Sequence, residues 1–153
     1  MQTFLPYPNF SQSARCLDNK RLGKQRVEAK QIYLALTDPT YGWQHHPAVK
    51  MWRGHEAALA HYGKLICVEW IRRGFQDTLF SWFDSCIIDA AIMGKTSCDP
   101  AWIGNESFHA SHRSNLLRKD PVWYGQFGWA EPNDLPYVWP SLTTFRLTSS
   151  KTL

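Results

Sequence analysis

The chain has 153 residues, the length of one domain able to bury most of its apolar surface. Apolar residues make up 44% and charged residues 20%, which excludes a disordered polymer. No apolar run reaches the roughly 18 residues of a membrane span, and MQTFLPYP lacks the basic and apolar regions of a secretory signal. The expectation is a soluble, cytoplasmic protein with no membrane partner. The net charge of +4 is modest, but six of the 17 Lys and Arg lie between Arg15 and Lys30. Arg113, Arg118 and Lys119 form a second group, and local cation clusters suit phosphate. The cysteines Cys16, Cys67, Cys86 and Cys98 form no C-x-x-C pair, which argues against a zinc ribbon and predicts reduced, mostly buried thiols.

In chain order, Pro6 and Pro8 hold residues 1–10 extended. Ser11 is a reasonable N-cap for a helix over residues 11–36, with Gly23 as its weak point and Asp38-Pro39 as its stop. On that helix Lys20, Arg21, Lys24, Glu28 and Gln31 share one face, whereas Leu22, Ala29, Tyr33 and Leu36 share another. The polar face reads either as a solvated surface with an ordinary Lys24–Glu28 pair or as a binding face around a lone carboxylate. Pro47 opens a second helix that runs to Gly74, with Val49, Trp52, Ala57, Leu59, Leu65, Val68 and Ile71 toward the core. Gly54 and Gly63 inside it each cost about 1 kcal/mol relative to Ala unless another helix crosses closely.

Residues 81–93 suit a short buried helix, and 95–104 read as a loop. Asn105 caps a third long helix over 106–119, which Asp120-Pro121 ends. Residues 122–140 are rich in aromatics, Gly and Pro without a period, and predict an ordered loop packed by its own rings. The final SSKTL is expected to fray. No repeat and no strong strand alternation is present. The fold expected is all-α, a compact single domain over residues 1–153, with about three main helices and an aromatic-rich C-terminal loop.

His109 and His112 stand three apart on a helix, a spacing that can ligate one ion. No H-E-x-x-H pattern or nearby cysteine supports them, so phosphate contacts explain them equally well. The chain contains no G-x-S-x-G elbow, no phosphate loop and no dinucleotide fingerprint. Trp123 and Tyr124 either plug the core or, beside Arg118 and Lys119, stack on DNA.

Four segments together resemble the phage-type pyrimidine-dimer DNA glycosylases with AP-lyase activity. Asp18 to Glu28 is similar to a first-helix pattern in which an Asp precedes the catalytic Glu. Glu69-Trp-Ile-Arg-Arg-Gly-Phe resembles the end of the family's second helix. Residues 105–119 match its basic third helix in position, and Asp120-Pro-Val-Trp-Tyr-Gly-Gln-Phe-Gly resembles its aromatic tail. The sequence departs by one inserted residue between Asp18 and Lys20, by Val27 where the family has Arg, and by a longer stretch over 79–104.

The resemblance implies a metal-independent enzyme without a cofactor that acts as a monomer on double-stranded DNA containing a damaged or modified pyrimidine. It implies a terminal amine as nucleophile, because such an amine titrates near about 7.7–8.0, against about 10.4 for Lys. Gln2 is bulky, which predicts that Met1 is retained, so the catalytic pair implied is the Met1 amine and Glu28. Gln2, Lys20, Arg21, Lys24, His109, His112, Arg113, Arg118, Lys119, Trp123 and Tyr124 are the DNA-binding residues implied. Two alternatives stand beside this reading: a non-catalytic nucleic-acid-binding domain, and a metal-dependent nuclease built on His109 and His112.

Overall fold

The computed structural model describes residues 1–95 and 99–140. Helix α1 (Phe10–Cys16) is capped by Asn9, whose side chain accepts from the Gln12 N–H at 2.8 Å, rather than by Ser11. The chain then turns extended at Leu17, and Asp18 caps α2 (Asn19–Thr37) by accepting from the Arg21 N–H. The single helix expected over 11–36 is therefore two. The break falls at Asp18 because its backbone is extended, its carboxylate caps the new helix, and its own N–H donates to the buried Tyr124 hydroxyl at 3.2 Å. Gly23 does not kink α2. It lets the Trp70 ring approach so closely that a Cβ would lie 2.9 Å from it.

The second expected helix also divides. Pro47 is the first residue of α3 (Pro47–Trp52), and His46 Nδ1 accepts from the Ala48 N–H at 3.0 Å. Gly54, at φ +84°, turns the chain into α4 (Glu56–Arg72). Gly63 marks a close crossing: a Cβ there would lie 2.3 Å from Phe83 of α5 (Phe80–Ile92). Helix α6 (Glu106–Lys119) begins at the expected cap, Asn105, and a single turn, α7 (Pro121–Tyr124), leads into a 3₁₀ turn at Gly125–Phe127.

The fold is all-α: every regular element among the described residues is helical. Helix α4 lies between α2 and α5, with α1 also against it. Leu22, Ala29, Ile32, Leu59, Ile66 and Phe83 are fully buried in the core. Tyr33 and Leu36 are half-buried, whereas Val68 and Ile71, expected toward the core, are exposed. Cys16, Cys67 and Cys86 are buried free thiols. Cys98 and the C-terminal SSKTL lie outside the described residues. No helix among those residues is long and apolar enough to cross a membrane.

Two segments without regular structure run through this frame, and their backbone groups need partners. The N-terminal arm is buried from Gln2 to Pro6. Trp52 Nε1 donates to Thr3 Oγ1 at 3.0 Å, and the Tyr62 hydroxyl lies 2.8 Å from the Phe4 carbonyl. The C-terminal strap, residues 129–140, lies against α6. Ser111 Oγ accepts from the Val138 N–H at 3.1 Å, Ser114 Oγ from the Leu135 N–H at 3.0 Å, and Asn115 Nδ2 donates to the Leu135 carbonyl at 3.0 Å. The tail packs in part by its own rings, since Trp129 stacks on Tyr124 and Phe127 with centroids 5.8 and 5.2 Å apart. Its backbone, however, is held by the polar face of α6.

Candidate active site

The arm delivers the N-terminus to the surface of α2. The Gln2 N–H donates to Glu28 Oε2 at 3.3 Å, so a carboxylate is tied to the first peptide group of the chain. Gln25, one turn earlier on α2, braces both partners: its Nε2 donates to the Gln2 carbonyl at 2.8 Å and to Glu28 Oε2 at 3.0 Å. Its Oε1 accepts from the Phe4 N–H at 2.9 Å and lies 2.7 Å from the Tyr62 hydroxyl. Glu28 is 9% exposed, and its Oε1 lies 3.5 Å from Lys24 Nζ, the ordinary helical pair. The Lys24 side chain is largely exposed, so that pair is worth only tenths of a kcal/mol.

A cavity of about 340 Å³ opens above this junction. Met1, Gln2, Gln25 and Glu28 form one part of its wall, Lys20, Arg21 and Lys24 a second, and Lys119 and Tyr137 a third. Burial, together with the charges of Arg21, Arg118 and Lys24, holds the Lys119 ammonium below its ordinary pKa. Burial pushes the Tyr137 phenol up to about 12, so it stays protonated and can donate. Gln2 Oε1 accepts from the Thr3 N–H, and its buried Nε2 makes no hydrogen bond of ordinary length among the described residues, although it stands near enough to the Tyr137 hydroxyl to oppose the upward pull of burial on that phenol. A buried donor without a partner is costly, and this one belongs to a residue that lines the cavity.

Asp18 anchors the base of α2. Burial raises its carboxyl, but hydrogen bonds from Tyr124 and Arg21 and the charge of Arg21 outweigh that and hold it below the usual carboxylate range.

Of the residues read as DNA-binding, Gln2, Lys20, Arg21, Lys24 and Lys119 come together here. Four others do not face outward. His112 is fully buried, and its Nδ1 accepts from the Leu5 N–H at 2.9 Å; burial, then the charge of His109, pushes it down to about 3. His109 Nε2 accepts from the Gly104 N–H at 2.9 Å, so its Nδ1 carries the proton and donates to the Leu5 carbonyl at 2.8 Å. Arg113 is buried, donates to the Pro6 carbonyl at 2.8 Å and pairs with Glu131 and Glu106. Tyr124 is fully buried and donates to Asp18. These four side chains hold the arm and Asp18 in place.

Arg118 is exposed and donates to the Asn133 carbonyl at 3.2 Å. Trp123 lies at the surface with its Nε1 donating to the Cys16 carbonyl at 2.8 Å. The metal alternative meets an obstacle in the same bonds, because the His109 nitrogens and His112 Nδ1 are already engaged. Among the described residues no group of three or more His, Cys, Asp or Glu could hold an ion.

Gln25 and Tyr137 were not read from the sequence. Gln25 had a signal, standing three residues before Glu28 on one helical face. Tyr137 had none, because only the strap's fold brings it here.

The pyrimidine dimer DNA glycosylase family matches residues 1–81, more than half of the 153-residue chain, and the chain belongs to that family. The match takes in the arm, α1 to α4 and the start of α5, hence Met1, Gln25 and Glu28. It stops before α6 and the strap. Membership assigns the chain to DNA repair, as a DNA glycosylase with DNA as its substrate. No curated protein and no solved structure matches it.

Proposed function

We propose that the chain removes a damaged pyrimidine from duplex DNA through a Schiff base on the Met1 α-amine and then cuts the strand as an AP lyase. The observation that carries the reading is the Gln2 N–H bond to Glu28, which fixes a nearly buried carboxylate beside the amine-bearing residue. The free amine attacks C1′ of the sugar. The glycosidic bond breaks, and the pyrimidine leaves with the bonding pair and takes up a proton. Ring opening leaves an iminium between the amine nitrogen and C1′. Glu28 stabilises that cation and takes the C2′ proton as the 3′ phosphate oxygen departs in β-elimination. Water then frees the amine.

Lys20, Arg21, Lys24 and Lys119 hold the flanking phosphates. Gln2 Nε2 and the Tyr137 hydroxyl donate to sugar or phosphate oxygens. No step calls for a metal ion.

The test is borohydride trapping on duplex DNA with an abasic site, in EDTA, followed by mass spectrometry of the adduct. Wild type gives an adduct on the Met1 amine, whereas Glu28→Gln binds the same DNA but loses strand cleavage by about a hundredfold or more. An adduct on a lysine overturns the nucleophile, and a Glu28→Gln enzyme that nicks at the wild-type rate overturns the role of the carboxylate.

A further inference from the structure

The Gln25 side-chain amide, 1% exposed on α2, is held in one orientation by the backbone of the arm. Its Oε1 faces the Phe4 N–H, which can only donate, and its Nε2 faces the Gln2 carbonyl, which can only accept. A flipped amide would set donor against donor and acceptor against acceptor, so these two backbone groups decide which end is which. The Tyr62 hydroxyl backs the same end. Its one proton lies between the Phe4 carbonyl and Gln25 Oε1, at 2.8 and 2.7 Å, and burial keeps the phenol protonated.

The lock reaches the carboxylate. The second N–H of the amide points at Glu28 Oε2, 3.0 Å away, and the Gln2 N–H approaches the same oxygen at 3.3 Å. Two donors that cannot become acceptors take up both lone pairs of Oε2 and leave no place on it for a proton. The other oxygen, Oε1, has only Lys24 Nζ at 3.5 Å, on an exposed side chain free to swing aside. The two oxygens of one carboxylate therefore differ in what they can do.

We propose that Gln25 is a positioning residue that makes Oε1 the basic oxygen of Glu28. The assignment rests on the reading that Glu28 takes the C2′ proton. In that step the C2′–H bond breaks and its proton passes to Oε1. The bonding pair forms the C2′–C3′ double bond, the C3′–O bond breaks, and the 3′ phosphate oxygen leaves with its electrons. Oε2 stays bonded to Gln25 and Gln2, so the carboxyl keeps its place while its charge changes. Attack by the amine depends on the arm, which Trp52, Tyr62 and His112 also hold. Elimination depends on the aim of the carboxylate, so it is the step that Gln25 governs most.

The experiment takes full-length wild type, Gln25→Met and Gln25→Glu on an abasic duplex in EDTA, and compares strand cleavage with borohydride trapping. In Gln25→Met the ratio of cleavage to trapping falls about ten- to a hundredfold, the scale of a reacting group misplaced by about 1 Å. In Gln25→Glu the introduced carboxyl faces two acceptors, the Gln2 carbonyl and Glu28 Oε2, so at low pH it holds a proton and donates as the amide does. Most of the wild-type ratio at the same pH therefore returns near about pH 5.5 and is lost toward about pH 9. The wall's four cations, the Met1 amine, His46 and the Tyr62 and Tyr137 phenols are common to both proteins and cancel in the comparison.

A wild-type ratio in Gln25→Met, even if both rates fall, overturns the assignment, as does a Gln25→Glu ratio that stays low at every pH. Gln25→Glu keeps the length and polarity of the side chain and carries the test if Gln25→Met does not fold. If wild type forms no adduct, or Glu28→Gln cleaves as wild type does, the reading of the amine or of Glu28 falls instead. Gln25 is then judged on the arm: the Gln2 and Phe4 amides exchange hydrogen at least about tenfold faster in Gln25→Met, and equal rates overturn its positioning role.

Discussion

Helices α2 and α6 both carry Lys, Arg and amide side chains, with five cations on α2 and three on α6, yet the two faces have opposite fates. On α2, Lys20 and Lys24 stand exposed around a cavity, with Arg21 half-buried beside them. On α6, every residue from Ser111 to Leu116 is buried, five of them polar or charged. The difference lies in the neighbours. Helix α2 packs mostly on helices whose backbones are already paired, and of its polar face only Gln25 and Glu28 bond the arm, which leaves Lys20 and Lys24 exposed. Helix α6 lies between an arm and a strap whose backbone groups have no ladder of their own, and its side chains stand in for one. Cations on a helical face therefore point to a ligand where no irregular segment engages them.

Arg113→Ala is the strongest way to break this comparison. It strands the partly buried Glu131 and the Pro6 carbonyl, and should lower stability by about 3 kcal/mol in urea unfolding. A variant as stable as wild type would mean that α6 does not hold the arm. The pH dependence of stability comes next. His112 is neutral in the fold, with its pKa lowered from 6.5 to about 3, so its contribution is fully present above about 6.5 and is lost as pH falls toward about 3. The loss should reach up to about 1.4 kcal/mol per pH unit. His109, also lowered by burial, acts in the same direction. Urea midpoints measured for His112→Asn should show a flatter slope with pH over this range, and an unchanged slope would remove His112 from the account. The smallest expected change in stability is that of Lys20→Ala or Lys24→Ala, within about 0.5 kcal/mol. Each should instead weaken DNA binding and reduce the salt slope by about 1, read from binding titrations at several salt concentrations.

Much of the fold was legible because its signals are local. Pro47, Asn105, Asp120-Pro121 and Gly74 mark ends that require only the residues around them. The break at Asp18 was missed although Asp is a good N-cap, because α1 and α2 together keep an apolar pattern compatible with one helix. Gly23 and Gly63 answer to rings from distant helices, Trp70 and Phe83, which no local window contains. In the site, the row Lys20, Arg21, Lys24 and Glu28 followed from helical spacing alone. The burial of His109, His112, Arg113 and Tyr124 did not, because it depends on where residues 1–6 and 129–140 run. Tyr137 was hidden for the same reason.

The arm also sets an order of assembly. Residues 1–6 leave the ribosome well before α6, yet Leu5 and Pro6 bond to His112 and Arg113, in each case 107 positions later. A nascent chain can form α1 to α5 and seat Gln2, Thr3 and Phe4 on them, yet the bonds that fix Leu5 and Pro6 must wait for a far longer loop to close. An incomplete chain stopped before α6 would therefore hold Gln2 against Glu28 but lack the Lys119 and Tyr137 wall of the cavity and the bonds that fix Leu5 and Pro6.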